Sequence, residues 1–292
     1  MKTAIVTLTW NKLKEATIPF LDSLYTYTDP EDFELIIVDN GSEDGTVDYL
    51  SSQVRKRPNM KVLFNKTNLG YSKGNNQGLR MISADAEIIG LLNNDILFTP
   101  DWLTRMREFL LSEPRVGLAS PRINLSSRIN SMNYLRRYRG LLGRYKSSFS
   151  LSITPFFCCV LLRRSTFEAI GFLDEDFSPA FFEDDDYSFR SLYAGFINGY
   201  VNTTFLLHNH CTTSGSLPNR KALIAQNQSL FFKKHYLGKC IYEERAWRKR
   251  PLLTLLRRMK TWLFPCEDHA YSESYATSSV SKSPSPLRST TI

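Results

Sequence analysis

Cysteine and histidine are scarce in this chain. Among 292 residues there are five cysteines and four histidines, and apart from the adjacent Cys158-Cys159 the cysteines are scattered, with no C-x-x-C. An odd, scattered set argues against a disulfide framework and for reduced thiols in the cytoplasm. No stretch approaches the roughly 18 apolar residues that cross a bilayer, so any membrane contact is expected to be peripheral. The N-terminal Met1-Lys2-Thr3-Ala4-Ile5-Val6-Thr7-Leu8-Thr9 carries one cation and no small-residue cleavage site, so it reads as a first strand rather than a signal peptide. Glycine is present, but never as G-x-G-x-x-G. Gly70, Gly74 and Gly78 recur every four residues, which excludes the dinucleotide fingerprint and suggests a smooth helix stripe for close approach of a strand or ligand.

What is present is an ordinary globular composition, 42% hydrophobic and 23% charged, with a net charge of +8. One large α/β domain with appendages fits that length. Strands are expected at Thr3 to Thr9, Glu34 to Asp39, Lys61 to Asn65 and Glu87 to Asn93, with helices from Glu15 to Tyr25 and from Thr46. That rhythm predicts a mostly parallel sheet covered on both faces by helices. Further strands are expected at Val116 to Ser120, Phe156 to Leu162 and Gly199 to Leu207.

Each early strand ends on polar residues: Trp10-Asn11, Asp39-Asn40, and Asn94-Asp95 after the apolar Glu87-Ile88-Ile89-Gly90-Leu91-Leu92. Parallel strands deliver their ends to one edge, where open α/β sheets bind ligands. Any one cluster taken alone is explained by a turn or a helix cap. A second signal is Phe181-Phe182-Glu183-Asp184-Asp185-Asp186. Four adjacent carboxylates beside two phenylalanines repel one another, and helix-dipole placement with an Asp186–Arg190 pair accounts for only part of the set. The last strand ends in His208-Asn209-His210-Cys211. His208 and His210 share a face on a strand, so either can be a metal ligand, while a zinc site including Cys211 lacks a second Cys/His pair.

Two basic stretches account for much of the positive charge. Tyr134 to Lys146 holds five cations and three tyrosines; it reads as a solvated loop or one that grips a pyrophosphate, with a nucleic-acid surface disfavoured. Arg245 to Lys260 holds seven cations and no acid, with Leu252, Leu255, Leu256, Met259, Trp262 and Leu263 on one helical stripe. A basic amphipathic helix of that kind, over 241–265, suits an anionic membrane surface, and the Ser/Thr/Pro-rich 266–292 reads as disordered.

Taken in order, Val6-Thr7-Leu8-Thr9-Trp10-Asn11, Val38-Asp39-Asn40-Gly41-Ser42, Asn68 to Leu79, Leu92-Asn93-Asn94-Asp95, Gly171-Phe172-Leu173-Asp174-Glu175 and Phe182-Glu183-Asp184 resemble the family 2 glycosyltransferases. These are inverting enzymes of the GT-A fold, and the likeness is strongest to rhamnosyltransferase-type bacterial members over about residues 1 to 236. The resemblance implies a domain over 1–240 with a mixed, mostly parallel sheet. It implies a nucleotide-diphosphate sugar site containing Thr9, Trp10, Asn11, Asp39, Asn68, Gly70, Asn76 and Asn94. Trp10 would lie against the base and Asp39 would contact its imide.

It further implies a divalent cation, Mg²⁺ or Mn²⁺, on Asp95, with His210 as the better-matching histidine and His208 second. Asn93 replaces the first acid of the usual Asp-x-Asp, and Cys158-Cys159 stands where relatives carry a small pair facing the acceptor. Independently of the family, a carboxylate among like charges has its pKa raised into a range useful for a base, so Asp184 is expected to activate an acceptor hydroxyl, with Glu183 orienting it. The expected function is transfer of a sugar, plausibly from a dTDP- or UDP-linked donor such as a rhamnose nucleotide. The expected acceptor is a glycan or lipid-linked oligosaccharide for cell-surface polysaccharide at the inner membrane face, with no nucleic acid involved. The rivals are a nucleotidyltransferase, whose glycine- and arginine-rich phosphate loop is missing, and a membrane scaffold that binds sugar nucleotides without turnover.

Overall fold

A computed structural model describes residues 2–125, 147–208 and 219–247, all within one compact unit that spans Met1–Arg250. The basic loop of 134–146, His210, Cys211 and the chain beyond 247 lie outside the described residues.

The chain opens with β1 (Lys2–Thr9), a wide turn at Leu13–Thr17, α1 (Ile18–Tyr27), β2 (Phe33–Asp39), α2 (Thr46–Val54), β3 (Met60–Phe64) and α3 (Tyr71–Leu79). The stretch expected as a helix from Glu15 is helical throughout, because the wide turn of Leu13–Thr17 is a π-type helical turn that runs directly into α1. Asn11 and Lys12 both take left-handed conformations, so the chain reverses tightly before Pro19 can sit in the first helical turn. Then follow β4 (Ala86–Asn93), β5 (Ile96–Leu97), α4 (Trp102–Ser112), β6 (Val116–Leu125), β7 (Phe149–Leu151), β8 (Cys159–Arg163), α5 (Arg164–Ile170), α6 (Glu183–Tyr193), β9 (Ile197–His208), α7 (Arg220–Lys234) and α8 (Tyr236–Trp247).

Among the described residues the strands form one sheet in the order β3-β2-β1-β4-β8-β6-β9-β5, with β7 on β9. The first four are parallel, as expected, and β6 and β9 pair in parallel over their length. Antiparallel ladders join β4 to β8, β8 to β6 and β5 to β9, so the sheet is mixed. The strand expected from Phe156 begins at Cys159. Phe156 donates its N–H to the Tyr200 hydroxyl at 3.1 Å and its carbonyl accepts from Ser120 Oγ at 3.1 Å, which turns Phe156 away from the ladder, while the Cys158 carbonyl still accepts from the Asn93 amide at 2.8 Å.

Both faces of the central strands are buried. Ala4, Val6, Ile36, Ile89 and Leu91 pack with Leu79, Ile170 and Tyr187 in one cluster, while the alternate residues Ile5, Leu35 and Ile37, equally hidden, lie on the other face. The glycine stripe does what its spacing predicted for α3. A Cβ on Gly74 would stand 2.8 Å from Leu8 Cδ2, and one on Gly78 would overlap Val6 Cγ1, so α3 rests directly on β1 and β2. The domain boundary expected at 240 falls inside α8: Ile241 is buried, and the Tyr242 hydroxyl donates to Asp185 Oδ2 at 2.7 Å. The start of the expected membrane-surface segment is therefore part of the globular unit.

Gly78→Ala gains about 1 kcal/mol of helix propensity but overpacks β1, and a net destabilisation of about 1–2 kcal/mol is expected in urea unfolding. An unchanged midpoint would show that α3 lifts freely from the sheet.

Candidate active site

The strand ends converge. Leu8, Thr9 and Trp10 at the end of β1, Asn40 after β2, and Leu92, Asn93, Asn94 and Asp95 at the end of β4 line one cleft of about 420 Å³. Asn68 and Gly70 close one side, and the Phe156-Phe157-Cys158 turn and the Pro179-Ala180-Phe181 loop close others. Glu183, Asp184 and His208 complete it.

Asp95 meets His208 across 113 positions of sequence. The β5–β9 ladder pairs Ile96 with His208, which sets the imidazole beside the carboxylate, with His208 Nε2 2.9 Å from Asp95 Oδ1. Strand β9 runs one residue further than expected, and that residue is the histidine. Among the described residues no third His, Cys, Asp or Glu joins them to make a closed metal cage. A carboxylate and an imidazole lining an open cleft suit a hard divalent ion that shares its coordination with substrate phosphates, since Mg²⁺-type sites keep few protein ligands. Cys158 lines the cleft near this pair, its thiol pushed up to about 12 by burial and by the Asp95 charge; Cys159 points into the core.

The four carboxylates of α6 divide into two pairs. Buried Asp186 accepts from Arg190 Nε at 2.8 Å and from His235 Nε2 at 2.7 Å, and Asp185 accepts from Tyr242. Glu183 and Asp184 face the cleft. Asp184 Oδ1 accepts from the Asp185 amide at 2.9 Å, and Glu183 Oε2 is buried with no hydrogen-bond partner among the described residues. Burial, and then the Asp184 charge, holds the Glu183 carboxyl well above the usual range; burial also raises that of Asp184. Tyr71, on the cleft wall, has its phenol raised by burial and by these two acids. A half-buried acid pair with an unpaired oxygen is suited to accept a proton from a bound hydroxyl.

Three of the expected nucleotide-site residues do not reach the cleft wall. Asp39 is fully buried, its oxygens taken by Thr9 Oγ1 at 2.8 Å and by the Ser42 amide and hydroxyl at 2.9 and 2.5 Å. Asn11 accepts from the Glu43 amide at 2.8 Å, tying two loops together. Asn76 is buried against Leu173, donating to its carbonyl and accepting from its amide, and also reaches Glu175. All three hold neighbouring backbone or side-chain groups in place. Thr9, Trp10, Asn68, Gly70 and Asn94 do line the cleft; Asn68 Oδ1 accepts from the Gly70 amide at 2.8 Å, and Asn94 donates to Thr17 Oγ1 at 3.2 Å. Asn40 and Tyr71 lie in stretches expected at the site without being singled out as ligands, and the Phe156-Phe157 turn was not expected there. Asn40 and Tyr71 sit inside the motifs quoted above, and that neighbourhood was their signal.

Comparison with known proteins agrees with this architecture. Residues 4–171 match glycosyl transferase family 2, and the chain belongs to that family. It is 24% identical over 275 residues to the N-acetylglucosaminyl-diphospho-decaprenol L-rhamnosyltransferase of Mycobacterium tuberculosis, a match covering 82% of this chain and 84% of that protein. It is 26% identical over 209 residues to the uncharacterised protein y4gI of Sinorhizobium fredii, covering 65% of this chain and 23% of that one. Among solved structures it is similar to the mannosyltransferase PcManGT from Pyrobaculum calidifontis in complex with GDP-Man and Mn²⁺, with a TM-score of 0.55, 17% identity, and coverage of 72% of this chain and 57% of that one. The fold is therefore of the GT-A type. The chain spans about a quarter of the Sinorhizobium protein and just over half of the mannosyltransferase.

The raised carboxyls predict a pH signature. The folded protein holds the Glu183 and Asp184 protons more tightly than the unfolded chain, so their stabilising contribution is complete below the ordinary carboxylate range and is lost as pH rises through their raised values. The melting temperature of Asp184→Asn, scanned in metal-free buffer, is expected to fall less steeply with rising pH than that of the unaltered protein. Parallel curves would show that Asp184 titrates alike in both states.

Proposed function

We propose that this chain is an inverting glycosyltransferase that moves a sugar from a nucleotide-diphosphate donor to a hydroxyl of a glycan or lipid-linked acceptor. The observation that carries the reading is the pairing within one cleft of Asp95–His208 with the unneutralised Glu183–Asp184. Trp10 and Asn40 border the nucleotide, and Asn94, Asp95 and His208 border its diphosphate. A divalent ion held by Asp95 and His208 would neutralise charge on the leaving diphosphate. Asp184 takes the proton of the attacking hydroxyl, and Glu183 orients that hydroxyl through its unpaired oxygen. A single displacement with the base opposite the leaving group inverts the anomeric carbon.

The mycobacterial relative's name supports rhamnose as the sugar and an acceptor on a lipid diphosphate; the carrier nucleotide in this reading is dTDP or UDP, and the product a cell-surface polysaccharide. The basic segment from Arg245 supports placement at the cytoplasmic face of an anionic membrane; among the described residues no helix is long and apolar enough to cross one. Asn93 in place of an acid favours, as a second reading, a scaffold that binds sugar nucleotides without turnover.

Calorimetry with UDP, dTDP and GDP, each with and without Mn²⁺, is expected to show Mn²⁺-dependent binding of one nucleotide, weakened by Asp95→Asn. With dTDP-L-rhamnose and an N-acetylglucosaminyl-diphospho lipid, Asp184→Asn is expected to lose roughly 10²–10⁴-fold in transfer with binding retained. Transfer at an undiminished rate removes Asp184 from its role, and nucleotide binding indifferent to metal favours the scaffold.

A further inference from the structure

The acid pair is presented by a strained stretch of backbone. Phe181 and Phe182, immediately before α6, both adopt left-handed conformations, with φ of 80° and 69°. Bulky residues pay about 1–2 kcal/mol each for that geometry, so two in succession persist only if neighbours hold them. On one side the Pro179 carbonyl accepts from the Tyr71 amide at 2.8 Å, with Gly70 packed so closely that a Cβ there would stand 2.8 Å from the same oxygen. On the other side stands Asn227 of α7. It is fully buried, and its Nδ2 donates to the carbonyls of Ala180 at 2.9 Å and Phe181 at 3.1 Å.

The amide is a poor choice for mere filling. Its Oδ1 is buried without a partner among the described residues, a cost that an apolar side chain of similar volume would avoid. Its two N–H donors point only at the loop that leads into Glu183 and Asp184. The same helix supplies Phe231 against the Phe182 ring, with centroids 5.6 Å apart, and His235 follows it to hold Asp186.

We propose that Asn227 is a positioning residue: from α7 it latches the left-handed 180–182 backbone so that Glu183 and Asp184 face the cleft. The inference rests on the proposed transfer reaction, and the test separates the two. Asn227→Ala and the isosteric Asn227→Asp, which sets a carboxylate against two carbonyls, are compared with the unaltered chain. The measurements are melting temperature, nucleotide binding with Mn²⁺, exchange of the Tyr71 amide and steady-state transfer from dTDP-L-rhamnose.

Both variants are expected to lose roughly 10–100-fold in kcat, the scale of a misplacement of about 1 Å, with the nucleotide Kd within about twofold. The Tyr71 amide, bonded to the loop, exchanges faster in both. On a Phe182→Gly background, where left-handed backbone costs nothing, the kcat loss from Asn227→Ala is expected to shrink about fivefold. A purely structural role would lower kcat, affinity and melting temperature together and leave the glycine background without effect. That result, an unchanged kcat, or undisturbed Tyr71 exchange overturns the proposal. Asp184→Asn is run beside them. If it transfers at the unaltered rate, the assignment of the base has failed; if it is inactive while Asn227→Ala is fully active, only the latch has failed.

Discussion

Adjacent carboxylates at a helix N-terminus repel one another, and the fold around α6 answers that repulsion unequally. Arg190, one turn on in the same helix, pairs with Asp186, which also bonds His235 at the joint of α7 and α8, and Tyr242 of α8 bonds Asp185. Among the described residues Glu183 and Asp184 receive no such partner, and they stand at the cleft with carboxyls held toward their protonated forms. An arrangement selected for stability alone would have paired or removed them. The joint of α7 and α8 and α8 itself supply groups that settle the outer acids, while the inner two line the cleft.

The cleft is a joint product of two halves of the sheet. The parallel half, β3-β2-β1-β4, delivers Trp10, Asn40 and Asn94 to one edge by simple strand polarity. The other half is tied on by antiparallel ladders, and it contributes His208, the Phe156-Cys158 turn and the acids. The family match ends at residue 171, so the proposed base lies beyond the matched stretch while the carboxylate proposed for the metal lies within it.

Polar residues at such an edge do two kinds of work. Asp39, Asn11 and Asn76 satisfy buried backbone and neighbouring hydroxyls and thereby shape the loops. Asn68 and Asn94 do some of this while still lining the cleft. Residue type and position in a motif do not separate these roles, because a buried amide and a ligand-facing amide carry the same donors and acceptors.

The four parallel strands, the glycine stripe of α3 and the surplus of acids beyond what a helix terminus needs were legible in the amino-acid sequence alone. Those features are local: periodicity, β-branching and charge repulsion act over a few residues. Three-dimensional packing settled that His208 is a partner of Asp95, that β8 enters antiparallel, and that α8 begins inside the domain. It also decided which acids were spoken for. These outcomes depend on contacts across tens to more than a hundred residues, such as Asp186 with His235, and no pattern within either segment encodes which distant side chain will arrive.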